Sequence, residues 1–156
     1  MEKLITIRPL DAGETEVISQ IARWYEAEWG TPPEKTIRRF SNIPGKDVIF
    51  HLVLRINDEV IAAGGLWNDV NIFNFHEKLK EYQPWVAAIY TDESHRKRGL
   101  GSLVLEHIEE RAMVLGLQKL YLYTYSANDL YEKYGWKPID VVQYRGQETA
   151  VMEKHL

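Results

Sequence analysis

The spacing of apolar residues changes several times along this chain, and each change marks an element. Residues 3–8 alternate like a strand as far as Pro9. Asp11-Ala-Gly-Glu14 has the spacing of a capping box, and Val17, Ile18, Ile21, Trp24, Tyr25 and Trp29 follow on one helical face until Gly30. Thr31-Pro32-Pro33-Glu34 predicts a second, short helix, with Thr31 as N-cap and a proline at N1, where its missing N–H is no loss. Val48–Ile56 and Glu59–Trp67 are rich in β-formers, and Asn57-Asp58 between them predicts a two-residue hairpin turn. Residues 68–83 are mostly polar and read as a long, partly helical loop. Pro84–Thr91 is nearly all apolar, as expected of a central strand covered on both faces.

Beyond a loop at 92–99, Leu100, Leu103, Val104, Ile108, Ala112 and Leu115 form a stripe at helical spacing, with Gly116 where a C′ glycine belongs. Leu120–Tyr125 predicts a strand and Leu130–Tyr134 a short helix closed by Gly135. Val141–Tyr144 and Thr149–Glu153 predict a final hairpin across Arg145-Gly146-Gln147. The order β-α-α-β-β-β-α-β-α-β-β places the chain in the α/β class with a mixed sheet, as a single domain over residues 1–156.

Composition narrows the chemistry. With no cysteine, disulfides, thiolate nucleophiles and cysteine zinc sites are excluded. No run of eighteen apolar residues predicts a membrane span, and the N-terminus lacks a signal peptide's apolar stretch, so a cytoplasmic location is expected. The formal charge of -4 argues against nucleic acid as a partner, which needs a basic face to neutralise phosphates. His51, His76, His95 and His107 have no partners at metal-ligand spacing, so no metal is expected. Five Trp and nine Tyr read first as core packing.

Against that acidic background, Arg96, Lys97 and Arg98 are consecutive cations between an apolar strand and the strongest helix. A helix N-terminus offers unpaired N–H groups and partial positive charge, and so binds phosphate. Gly99 and Gly101 remove side chains that would block a close approach to an anion. The segment therefore predicts a pyrophosphate cradle. A Walker loop would need a lysine before Ser102, and a dinucleotide fingerprint would need three spaced glycines near the start of its βαβ unit, with an acid about 20 residues later.

The pattern Arg96-x-x-Gly99-x-Gly101 instead resembles the coenzyme A loop of the GNAT superfamily of N-acetyltransferases. Trp85-Val-Ala-Ala-Ile-Tyr-Thr91 resembles that family's fourth strand and Leu120-Tyr-Leu-Tyr-Thr124 its fifth. Leu130-Tyr-Glu-Lys-Tyr-Gly-Trp136 and Val151-Met-Glu-Lys154 are similar to its closing phrases. The resemblance implies a mixed, mostly antiparallel sheet of six to seven strands, splayed between strands 4 and 5 and flanked by about four helices. It implies acetyl-CoA as co-substrate, with the backbone of Ile89, Tyr90 and Thr91 along the pantetheine arm and Arg96, Lys97, Arg98, Gly99, Leu100, Gly101 and Ser102 at the pyrophosphate. It implies direct attack by the primary amine of a small molecule or peptide, with Tyr131 as proton donor to the departing thiolate and Tyr134 as its nearest substitute. A homodimer is compatible with it.

Two departures stand out. Residues 84–91 carry no carboxylate to deprotonate the amine, which leaves Glu26, Glu28, Asp69 or a water relay. Asn128 stands only three residues before Tyr131, so Thr124 or Ser126 is an alternative pantetheine partner. The acceptor is expected among Trp24, Tyr25, Glu26, Glu28, Trp29, Phe73, Phe75, Glu77 and Glu81, a set that suits a cationic amine. The alternative reading is a non-catalytic acyl-CoA-binding sensor with the same fold.

Overall fold

Residues 3–156 are described by a computed structural model. Seven strands, β1 (Ile5–Pro9), β2 (Val48–Ile56), β3 (Glu59–Trp67), β4 (Trp85–Thr91), β5 (Lys119–Thr124), β6 (Lys137–Tyr144) and β7 (Gln147–His155), join in one sheet of order β1-β2-β3-β4-β5-β7-β6. Four helices, α1 (Thr15–Trp29), α2 (Pro33–Phe40), α3 (Leu100–Val114) and α4 (Asn128–Lys133), flank it, with short 3-10 turns at Asn71–Asn74, Glu77–Glu81 and Glu93–His95. The pairings are antiparallel except between β4 and β5. This is the mixed α/β sheet that the residue pattern and the resemblance imply. No helix of the described residues is long and apolar enough to cross a membrane.

The turns follow from residue chemistry. Asn57 (φ 50°) and Asp58 (φ 73°) take the left-handed conformations of a tight hairpin turn, which Asn and Asp tolerate. Arg145 (φ 53°) and Gly146 (φ 77°) do the same for β6 and β7; β6 starts four residues earlier than expected, and β7 runs longer at both ends. At α1 the Glu14 carboxylate accepts the Asp11 N–H at 2.9 Å, as in a capping box. The Asp11 side chain, however, accepts the Gly13 N–H at 2.7 Å, so a turn intervenes and the helix begins at Thr15. Helix α2 begins at Pro33 with Pro32, not Thr31, as its N-cap. Pro32 precedes a proline, which drives it out of the helical region to ψ 132°.

Alternation along the strands feeds two cores, one on each face of the sheet. Ile18, Ile21 and Tyr25 of α1 and Phe40 of α2 pack on the first, with Val53 and Val151. Leu100, Val104, Leu105, Ile108 and Ala112 of α3 pack on the second, with Leu52, Leu54 and Met152. Strand β4 departs from expectation. Trp85 and Val86 are buried, but residues 87–91 are only half-buried. The cause is β5, whose pairing with β4 is confined to Trp85↔Tyr121 before the two diverge.

Gly65 of β3 lies under the His51 ring. A Cβ there would stand 2.3 Å from His51 Nδ1 and 2.6 Å from the Phe50 carbonyl oxygen. Gly65→Ala is expected to cost about 3 kcal/mol and to lower the melting temperature by roughly 6–12 °C, measured by thermal unfolding.

Candidate active site

The divergence of β4 and β5 opens the sheet, and β4 bends where it opens. Its register against β3 slips between Ala63 and Gly65, and Ala88 takes φ 58°, a conformation costly for a residue with a Cβ. The Ala88 carbonyl is engaged by the Tyr25 hydroxyl, which donates to it at 2.6 Å. Tyr25 Oη also lies 2.9 Å from His51 Nε2, and Trp67 Nε1 donates to His51 Nδ1 at 3.2 Å. Because an indole N–H can only donate, His51 Nδ1 is the acceptor and its proton sits on Nε2. The result is a directed chain, Trp67 to His51 to Tyr25 to the Ala88 oxygen. In a trans peptide the C=O and N–H point in opposite directions, so the Ile89 N–H is turned away from Tyr25. Burial pushes the His51 pKa down to about 3, with Arg39 adding to the effect, and raises that of Tyr25. Both rings are therefore neutral.

After β4 the chain makes the Glu93–His95 turn and passes through left-handed conformations at Lys97 (φ 65°) and Gly99 (φ 76°) into α3. No side chain caps α3, and its first backbone bond runs from the Leu103 N–H to the Gly99 oxygen. The N–H groups of Leu100, Gly101 and Ser102 thus lack a protein acceptor. They border a cavity of about 220 Å³ lined also by Ile89, Thr91, His95, Arg96, Lys97 and Tyr131. A Cβ on Gly101 would reach only ordinary contact with Ile89 and Thr91, both 3.7 Å away, so a longer side chain would enter the cavity. The Arg96 guanidinium is already engaged. Its Nε donates to the Thr91 oxygen at 3.0 Å, its plane lies over Tyr90, and Nη2 is 3.6 Å from Glu28. The side chains of Tyr90 and Arg98 line neither this cavity nor the next.

A second cavity of about 740 Å³ fills the gap between β4 and β5, reaching the ends of α1 and α2 and the β6–β7 turn. Ile89 and Tyr131 line both spaces. Burial raises the pKa of Tyr131 and keeps its phenol protonated. Tyr134 is exposed, and neither it nor the half-buried Asn128 lines either cavity. Thr124 and Ser126 line the second, where Thr124 Oγ1 accepts the Ala127 N–H at 3.1 Å.

A sequence model of the Acetyltransferase (GNAT) family matches residues 15–136. The chain belongs to the GNAT family. Among solved structures it resembles an aminoglycoside 6'-acetyltransferase type Ii, with a TM-score of 0.74, 17% identity and 96% of each chain covered. The ribosomal-protein-S18-alanine N-acetyltransferase from Escherichia coli follows at 0.70, with 18% identity over 97% of this chain and 94% of that one. A PaiA N-acetyltransferase from Thermoplasma acidophilum, in complex with coenzyme A, gives 0.68 and 19% identity over 98% and 99%. These likenesses carry the fold. No curated protein matches the sequence.

On this GNAT frame the acceptor-side expectations divide. Tyr25, Glu28 and Trp29 line the larger cleft, and Trp24 stacks on Tyr90 at 4.9 Å. Glu26, Glu77 and Glu81 do not line it, and neither does Asp69. Phe73 is buried in the core against Trp85, and Phe75 is exposed beside Tyr144. Residues absent from the sequence-based expectation line it instead: Arg39, Asn71, Tyr123, Tyr144, Arg145 and Thr149. The buried His51 relay was also hidden, since its partners stand 16 and 26 positions away.

The relay makes stability pH-dependent. His51 is neutral when folded to about pH 3, whereas the unfolded chain protonates it near its ordinary 6.5. The unfolded state binds the extra proton, so this contribution is complete above pH 6.5 and is lost as pH falls. Urea unfolding of wild type and His51→Gln should show their stability difference shrinking by about 1.4 kcal/mol per pH unit between pH 6 and 4. A constant difference would count against the neutral relay.

Proposed function

We propose that the chain is an acetyl-CoA-dependent N-acetyltransferase that acetylates a primary amine by direct attack. The observation that carries this reading is the meeting of two spaces at Ile89 and Tyr131, one bordered by the free N–H groups of α3 and one open to an acceptor. The cradle suits a pyrophosphate: it combines an uncapped helix start, left-handed backbone at Lys97 and Gly99, and room above Gly101. Lys97 to Ser102 hold the phosphates, and the Ile89–Thr91 edge, unpaired toward β5, takes the pantetheine arm as an added strand. Acetyl-CoA, when bound, supplies the thioester carbonyl that the amine attacks.

The protein's own groups do the rest. The relay from Trp67 to Ala88 fixes the peptide whose Ile89 N–H polarises the thioester carbonyl. Tyr131, neutral and at the junction, gives its proton to the sulfur as the thiolate departs. Glu28 is the carboxylate that lines the acceptor cleft among the described residues, and it takes the proton the amine must lose. Holding amine and thioester together in one cleft provides much of the acceleration.

Two substitutions separate binding from turnover. Gly101→Glu puts a carboxylate into the cradle and should weaken acetyl-CoA binding by more than about a hundredfold, measured by calorimetry, with the melting temperature preserved. Unchanged affinity would remove the cradle assignment. Tyr131→Phe should reduce kcat by roughly a hundredfold with acetyl-CoA affinity retained, followed as thiol release. Acetyl-CoA binding by wild type with no acceptor-dependent thiol release for any amine would leave the acyl-CoA sensor as the function.

A further inference from the structure

The acceptor cleft holds two guanidinium groups that the chemistry above does not use. Arg39, in the last turn of α2, lies over the Trp67 ring with Cζ 4.3 Å from its centroid. It lines the cleft and makes no hydrogen bond or ion pair with the described residues. Asp69 and Asp47 are the carboxylates whose field favours its charge, but neither is in ion-pair contact and neither lines the cleft. Partial burial works against that charge. Arg145 faces the same space from the β6–β7 turn, tethered by one bond, Nη2 donating to the Trp29 oxygen at 2.8 Å.

The balance of charge in the cleft is therefore positive. Its lining carboxylate, Glu28, already faces Arg96 at 3.6 Å, and the remaining polar lining near Arg39, such as Asn71 and Thr149, is neutral. A polycationic acceptor would bring several ammonium groups against two guanidinium groups, and Glu28, already facing Arg96, is the one lining carboxylate among the described residues to receive them. A guanidinium stacked on an indole keeps its N–H edge free, and that edge matches the two oxygens of a carboxylate. A half-desolvated cation without an acceptor is also the kind of group that gains most from an incoming anion.

We propose that the acceptor is a primary amine that also carries a carboxylate, an amino-acid-type substrate, and that the Arg39 guanidinium receives that carboxylate with Arg145 across the cleft. This assignment rests on the acetyl-transfer reading above. In the transfer the nitrogen–carbonyl bond forms and the carbon–sulfur bond breaks. The ammonium loses one proton to Glu28 to become the nucleophile, Tyr131 gives its proton to the departing thiolate, and the second proton lost by the attacking nitrogen restores the Tyr131 hydroxyl, so that one proton is released overall. The carboxylate is a handle and does not react. The cleft thereby selects against the cationic amines that the aromatic and acidic residues of α1 and the long loop had suggested.

The test is thiol release with acetyl-CoA and matched acceptors: the common amino acids, their carboxamides, the corresponding decarboxylated amines, and a polyamine. Wild type should prefer at least one amino acid over its carboxamide by about tenfold or more in kcat/KM. Arg39→Met should bring that ratio close to one, chiefly through KM for the acid, and Arg39→Lys should keep part of it. Equal rates with acid and carboxamide, a preference for the polyamine, or an unchanged ratio in Arg39→Met would overturn the proposal. If no amine releases thiol, acetyl transfer fails, and the carboxylate site is then read by calorimetry with N-acetyl amino acids and their amides in the presence of coenzyme A. Carboxylate-dependent binding that is lost in Arg39→Met would sustain the site. Its absence from wild type would overturn it.

Discussion

A backbone carbonyl inside a protein must find a donor, and the Ala88 carbonyl sits where the sheet offers none. The β3–β4 register slips at this point and β5 has already turned away. Tyr25 supplies the donor from α1, which fixes how closely that helix can lie on the sheet. Tyr25 in turn needs His51, His51 needs the Trp67 indole, and the ring of His51 fits only because Gly65 has no side chain. A chain of neutral hydrogen bonds thus links α1, β2, β3 and β4 around one irregular peptide. Leaving any one member without its partner would strand a buried polar atom, which costs more than the bond itself contributes.

That fixed peptide stands between two regions of positive character. On one side the Lys97–Ser102 segment offers N–H groups and a cationic side chain around a small cavity. On the other the aromatic cleft is bordered by Arg39 and Arg145. Arg96 and Glu28 lie between them, with Tyr90 stacked beneath the guanidinium and Trp24 beneath Tyr90. The Arg96 charge is consequently shared with Glu28, and the N–H groups at the start of α3 are the donors that the loop leaves unpaired.

The lining of the smaller cavity was legible in the sequence because it is local. Arg96, Gly99 and Gly101 lie within six residues, between a strand and a helix whose periodicities are plain, and Tyr131 was reached through the phrase around it. The Asn57-Asp58 hairpin was legible for the same reason. The lining of the larger cleft was not. Arg39 reads as one of three cations on a short helix, and its position over Trp67 depends on a contact 28 positions away. Phe73, Phe75 and Glu77 matched a plausible acceptor composition, yet two short 3-10 turns direct them into the core or toward solvent. Periodicity tells which face of an element is apolar. It does not tell which element lies opposite.

Pairing of β4 with β5 at Trp85↔Tyr121 alone has a mechanical meaning as well. Four strands on one side and three on the other are each tied by long antiparallel ladders. Across the seam the ties include that one pair, the Tyr121 N–H bond to the Pro84 oxygen, and ring contacts of Trp85 with Tyr121 and Tyr123 and of Tyr82 with Tyr121, all at the narrow end. Stiffness is therefore high within each part and low across the join, so the softest deformation of the sheet is a change in the angle of the V. Breathing of that angle widens the mouth while the narrow end stays shut, much as tweezers open at the tips and not at the weld.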